Sequence, residues 1–190
     1  EWGFTVDYQG SANAAVADQV NVINNAVASG VDAICVSSVD ATGLDSALTE
    51  AKDAGVTVVT WDSDVSDTAR TLMVSQGTPD LLGKMLVDMG ADSLTNRGKD
   101  VKADTIKYCW HYSQATVADQ NSWQVAGEAY IKENFPNWEN VAPDNYYSEQ
   151  DAEKAVSIGA SILEAHSDID LIICNDSTAL PGQCKAAQNK

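Results

Sequence analysis

The chain has 190 residues, with 28 acidic against 11 basic side chains and a formal charge of −17. A field of that sign repels nucleic acid and anionic membrane surfaces, so neither is expected as a partner. No apolar run approaches the ~20 residues that a membrane helix needs. Hydrophobic residues make up 44% of the chain, enough for a real core, and the length suits one large domain or two small ones.

The chain begins at Glu1 without a signal peptide, which leads to the expectation of a processed or trimmed protein. Residues 4–8 (F-T-V-D-Y) alternate and predict a short strand. Val16, Val20, Ile23 and Val27 recur at helical spacing, and Gly30 stands where a left-handed cap ends that helix. Residues 31–39 (V-D-A-I-C-V-S-S-V) predict the next strand. Leu44, Leu48 and Ala51 mark a second helix, closed by Gly55. Residues 56–61 (V-T-V-V-T-W) are β-branched and apolar, as suits a strand covered on both faces, and residues 71–74 predict one more. Thr78 is placed to cap a helix with Pro79 at its first position. Leu82, Met85, Leu86 and Met89 form that helix's expected core stripe.

Residues 98–104 are polar and include glycine, which predicts a linker. The pattern then restarts. A strand is expected over 105–112. Trp123, Gly127, Tyr130 and Ile131 mark a helix that stops before Pro136. A short strand follows within 140–147. Ala155, Ile158, Ile162 and Ala165 mark a helix, residues 171–174 (L-I-I-C) a strand, and residues from 179 a last helix. Strand–helix alternation with short joins implies right-handed crossovers and parallel sheets. The expected fold class is therefore α/β in two lobes, a first over 1–97 and a second over 105–190, each a parallel sheet flanked by helices.

Four cysteines are present, at spacings that match no metal or redox motif. Cys35, Cys109 and Cys174 fall in expected buried strands, where a thiol acts as a small hydrophobe. A Cys174–Cys184 disulfide is open in an oxidising compartment but not required. No nucleophile elbow, phosphate loop or zinc motif occurs, so no catalytic residue, metal ligand or cofactor is expected. Three strand ends carry polar groups instead: Trp61-Asp62-Ser63-Asp64, then Asp119-Gln120-Asn121 after the fourth strand, then Asn175-Asp176-Ser177. Ligands bind outside the carboxyl ends of strands in open α/β sheets. Carboxylates and amides suit hydroxyl groups, and Trp61 offers an apolar face to a ring, so the kit fits a small neutral sugar-like molecule. Plainer roles stand beside that one. Asp119 can serve as a helix cap, Asp62 and Asp64 as turn residues, Trp61 as core.

The segments W-D-S-D, S-Q-G-T-P-D-L-L-G-K-M-L-V-D-M, T-V-A-D-Q-N-S-W and D-S-T-A-L-P, in that order, resemble the autoinducer-2 binding proteins. These are sugar-type periplasmic receptors of bacterial ABC importers, in the ribose/galactose-binding superfamily. The resemblance implies two hinged lobes closing on ligand, an extracytoplasmic or lipid-anchored location, a permease partner, a monomer at full length and no enzymatic activity. It places ligand contacts at Asp62, Asp119 and Gln120. Two further contacts, a proline and an alanine in the family, fall on Asn175 and Ser177, which are departures. A family lysine belongs to a first strand–helix unit that these residues do not include. The alternative of the same fold is the effector-binding core of a sugar-responsive transcription repressor.

Overall fold

The computed structural model describes residues 3–10 and 15–190. By their contacts they form two compact units, Glu1–Ser75 and Gln76–Lys190.

In the first unit, helix α1 (Val16–Ala28) leads into strand β1 (Ala33–Val36), helix α2 (Asp45–Asp53), strand β2 (Thr57–Trp61), a short 3-10 turn and strand β3 (Leu72–Val74). The strands pair in the order β1-β2-β3, all parallel. Gly30 and Gly55 end α1 and α2 with φ of 78° and 89°, a conformation that costs glycine nothing. Ile23, Leu44, Leu48, Val56 and Val58 form the core. Residues 3–10 take no regular structure, and Phe4, Val6 and Tyr8 are exposed. The strand expected at 4–8 is therefore not formed. Alternation supplies a strand's side chains, but a strand also needs a neighbour's backbone groups, and none of the described strands pairs with it. Cys35 is exposed rather than buried, because β1 lies at the sheet's edge with only β2 beside it and one of its faces open.

In the second unit, helix α3 (Pro79–Asn96) is followed by strand β4 (Ile106–Tyr112), helix α4 (Ala118–Asn134), strands β5 (Trp138–Asn140) and β6 (Tyr146–Tyr147), helix α5 (Ala152–Ala165), strand β7 (Leu171–Ile173) and helix α6 (Ala179–Gln188). β4 is central and takes parallel partners along its length, β5 at its start, β7 in its middle and β6 at its end. Its side chains are almost wholly buried, led by Trp110 and Tyr112. Trp110 Nε1 (2.8 Å), Tyr108 Oη (2.7 Å) and Asn140 Nδ2 (2.9 Å) all donate to the Glu128 carboxylate on α4, which locks helix to sheet.

Thr78 caps α3 as expected, its hydroxyl accepting from Leu81 N at 3.3 Å. The helix buries a face that only partly matches the expected stripe. Gly83, Val87, Gly90, Ala91 and Leu94 are inside and Leu86 packs against the core, while Met85 and Met89 are 49% and 68% exposed. The reason is close backbone approach: a Cβ on Gly83 would stand 2.5 Å from Trp123 O and 2.6 Å from Gly127 N of α4. This packing puts α3 in the second unit, so the division falls at Ser75/Gln76, ahead of the 98–104 stretch. That stretch is itself tied down in the second unit. Val101 O accepts from Trp138 Nε1 at 3.0 Å, and Lys99 pairs with Asp170 at 2.7 Å.

Candidate functional site

The first unit ends its central strand in Trp61 and Asp62. Asp62 has φ of 61°, the left-handed region that aspartate tolerates better than most side chains. Its N–H donates to Val74 O at 3.2 Å, and its carboxylate Oδ2 accepts from Ser37 Oγ at 3.2 Å. Ser63 closes the turn against β1, with Ser38 N donating to Ser63 O at 3.1 Å. A residue held in a sparsely populated conformation by ties to both neighbouring strands is a candidate for function. Asp64 is different. Burial alone would raise its carboxyl, but hydrogen bonds from Arg70 and Thr60 hold it below the ordinary 3.8. It is an internal brace. Trp61 is 49% exposed and lines a cavity of about 300 Å³ with Tyr8, Gln19, Ile34 and Ser37. It is therefore neither core nor fully open.

The second unit gathers its candidates at the carboxyl ends of β4 and β7. Helix α4 starts at Ala118, after Val117, so Asp119 is not its cap. It sits in the first turn, where the helix dipole favours a carboxylate, and its Oδ2 is buried. Gln120 is buried beside it. Its Oε1 accepts from Ser113 N at 3.1 Å and Ser113 Oγ at 3.0 Å, and its Nε2 donates to Asp176 Oδ1 at 3.4 Å. Asn175 Nδ2 donates to Gln120 O at 3.2 Å, and Asn175 Oδ1 is buried with no partner among the described residues. Ser177 is exposed beside them. Gln120, Asn175 and Asp176 are thus one hydrogen-bonded group, with Asp119 and Ser177 flanking it.

Sequence reasoning placed Asp176 within the third polar strand end without a role of its own, and did not nominate Ser37, Ser113 or Gln183. Those three matter through partners 7 to 72 residues away in the chain. Among the described residues no group of three or more His, Cys, Asp or Glu is arranged to hold a metal.

His111 underlies this group, fully buried. Its Nδ1 lies 3.1 Å from Gln183 Oε1, while Gln183 Nε2 donates to Gly159 O. A carbonyl can only accept, so the amide's oxygen faces the imidazole and Nδ1 carries the proton. Burial holds His111 below its ordinary 6.5, against the opposing pull of Gln183 and the Asp176 charge. Below pH 6.5 the unfolded chain takes up a proton that the folded chain refuses, so stability falls as pH drops from there. Urea midpoints are expected to decline from pH 7 to 5, and less steeply in His111→Gln. Equal slopes in the two proteins would contradict this assignment.

The arrangement offers carboxylates and oriented amides, the chemistry of holding hydroxyl groups. Residues 1–190 match the family model described as a periplasmic binding protein domain. LsrB from Clostridium saccharobutylicum, solved in complex with AI-2, is similar at 71% identity, over 99% of this chain and 58% of that one, with a TM-score of 0.98. An ABC transporter solute-binding protein from Agrobacterium vitis with bound D-fucose is similar at 25% identity, over 97% of this chain and 61% of that one, TM-score 0.84. One from Clostridium phytofermentas with bound L-rhamnose, at 24% identity over 97% and 54%, TM-score 0.83, shares the fold. The chain spans 54 to 61% of the length of these three proteins.

Proposed function

This chain belongs to the periplasmic binding protein family, and from that premise we propose that it serves as an extracytoplasmic receptor for AI-2 or a closely related sugar-like solute. The observation that carries the reading is the 71% identity, over 99% of the chain, with a protein solved holding AI-2. The receptor hands its ligand to the permease of an ABC importer, the system to which the A. vitis and C. phytofermentas relatives belong. It binds its ligand and does not transform it. Its place is outside the cytoplasm, as the family's character implies.

In this reading Asp62 contributes a carboxylate from the first unit, and Asp119 and Gln120 a carboxylate and an amide from the second. Each accepts from or donates to ligand hydroxyl groups. Trp61 offers its exposed face to the ligand's carbon skeleton. Asn175 and Ser177 add polar groups beside Gln120 in the second unit and bear on which solute is preferred. The buried Asn175 Oδ1 is an acceptor that a ligand hydroxyl can satisfy.

Ligand that binds only the folded chain must raise its stability, by about 2.7 kcal/mol at a hundred times Kd. For a chain of this size that is a rise of roughly 5–10 °C in melting temperature. We expect AI-2 to produce it and L-rhamnose not to. A melting curve indifferent to AI-2 at every concentration would contradict the assignment.

A further inference from the structure

We propose that Asp176 is the positioning residue of this site: one carboxylate both orients the Gln120 amide and caps α6, so that Gln120 is aimed only when α6 is docked. The proposal rests on the reading of Gln120 as a ligand contact.

The amide's orientation is forced. A main-chain N–H can only donate, so the Gln120 end that meets Ser113 N at 3.1 Å must be oxygen, and Ser113 Oγ donates to the same atom at 3.0 Å. The NH2 end therefore faces Asp176 Oδ1, at 3.4 Å. That contact uses one of two N–H groups and leaves the second to donate elsewhere. The other Asp176 oxygen, Oδ2, accepts from Thr178 N at 2.9 Å and Ala179 N at 2.7 Å, the opening of α6. The preceding residue, Asn175, grips Gln120's main-chain oxygen. Gln120 is thus held at backbone and side chain by two consecutive residues of the loop after β7. Helix α6 is fixed in turn by close contact with α5, where a Cβ on Gly182 would stand 2.3 Å from Ala155 Cβ. A shift of α6 against α5 is transmitted through Asp176 to the Gln120 amide.

Asp176→Asn separates the two roles. Asparagine makes the same local side-chain to backbone turns as aspartate, and its single oxygen can serve Thr178 N and Ala179 N. Its NH2 then faces the NH2 of Gln120, donor against donor. Gln120 can escape only by turning over, which sets its NH2 against Ser113 N–H. We expect Asp176→Asn to stay folded but to bind AI-2 at least about tenfold more weakly, a loss of about 1.4 kcal/mol. Gln120→Ala is expected to lose a similar factor, and the double variant no more than Gln120→Ala alone. Additive losses would overturn the proposal, because Asp176 would then act on ligand directly. So would full affinity in Asp176→Asn. A readout without ligand separates this proposal from the function itself. The Gln120 side-chain NH2 resonances, assigned by their loss in Gln120→Ala, are expected to shift in Asp176→Asn. Unshifted resonances overturn the positioning role. Shifted resonances in a protein that ignores AI-2 support the positioning role and overturn the choice of ligand.

Discussion

Replacing Trp110 by alanine is expected to cost the second unit about 3–5 kcal/mol, the range for emptying an aromatic site in a packed core. Trp110 is fully buried on the central strand and belongs to the cluster that joins Val87, Ile131, Phe135 and Ile173. Its ring edge lies where Gly127 leaves room for it: a Cβ there would stand 2.9 Å from the indole. Its N–H is one of three donors to Glu128, so the substitution also strips a partner from a half-buried carboxylate. Trp110→Phe keeps most of the packing and loses only the donor, so it should cost clearly less. The same strand carries His111, and Ser113 follows it, so Trp110→Ala should also weaken ligand binding. Urea unfolding followed by circular dichroism measures the first effect. A cost below about 1 kcal/mol, typical of a tolerant surface site, would contradict this account of the core.

The second large effect concerns the ligand carboxylates. Asp62→Ala and Asp119→Ala are each expected to weaken AI-2 binding by about 1.5–3 kcal/mol, the scale of a hydrogen bond to a charged group. At Asp62 the alanine change mixes two losses, because alanine resists a φ of 61° that aspartate and asparagine tolerate. Asp62→Asn keeps the backbone and removes only the charge, so the comparison divides strain from chemistry. Most of the loss should already appear in Asp62→Asn. Asp119 sits in the first turn of a regular helix, where alanine is favourable but the lost carboxylate is not, so the melting temperature of Asp119→Ala is measured beside its affinity. Unchanged affinity in Asp119→Ala would remove it from the site.

Much of the fold was legible because its signals are local. Gly30, Gly55 and the Thr78-Pro79 pair mark helix ends by backbone geometry that few other residues serve, and each stands where it was read. The β-branched run into Trp61 announced the strand but overstated its cover: Val58 and Thr60 on one face are fully buried, while Thr57 and Trp61 on the other are exposed. What failed depends on partners. Residues 4–8 alternate like a strand yet remain unpaired. The Met85 and Met89 stripe looked like core, but a glycine face let α3 approach α4 more closely than the methionines allow. The short strand expected within 140–147 is present as β6, but β5 just ahead of it was not read, and between them Asn145 takes a φ of 59° and joins Tyr112 and Gln124 in hydrogen bonds. At the site, the three polar strand ends were readable. The assignment of Asp119 as a cap or not required the helix start, and Asp176's hold on Gln120 spans 56 residues of chain, a contact no local pattern contains.

The most direct test is isothermal titration of the protein with AI-2, with L-rhamnose and D-fucose as comparators. Saturable binding of AI-2 at micromolar or lower Kd, with neither sugar competing, is the result this account predicts, and it would show that Asn175 and Ser177 are compatible with that ligand. Preferential binding of either sugar, or no heat with AI-2 under conditions where the protein is folded, would contradict it.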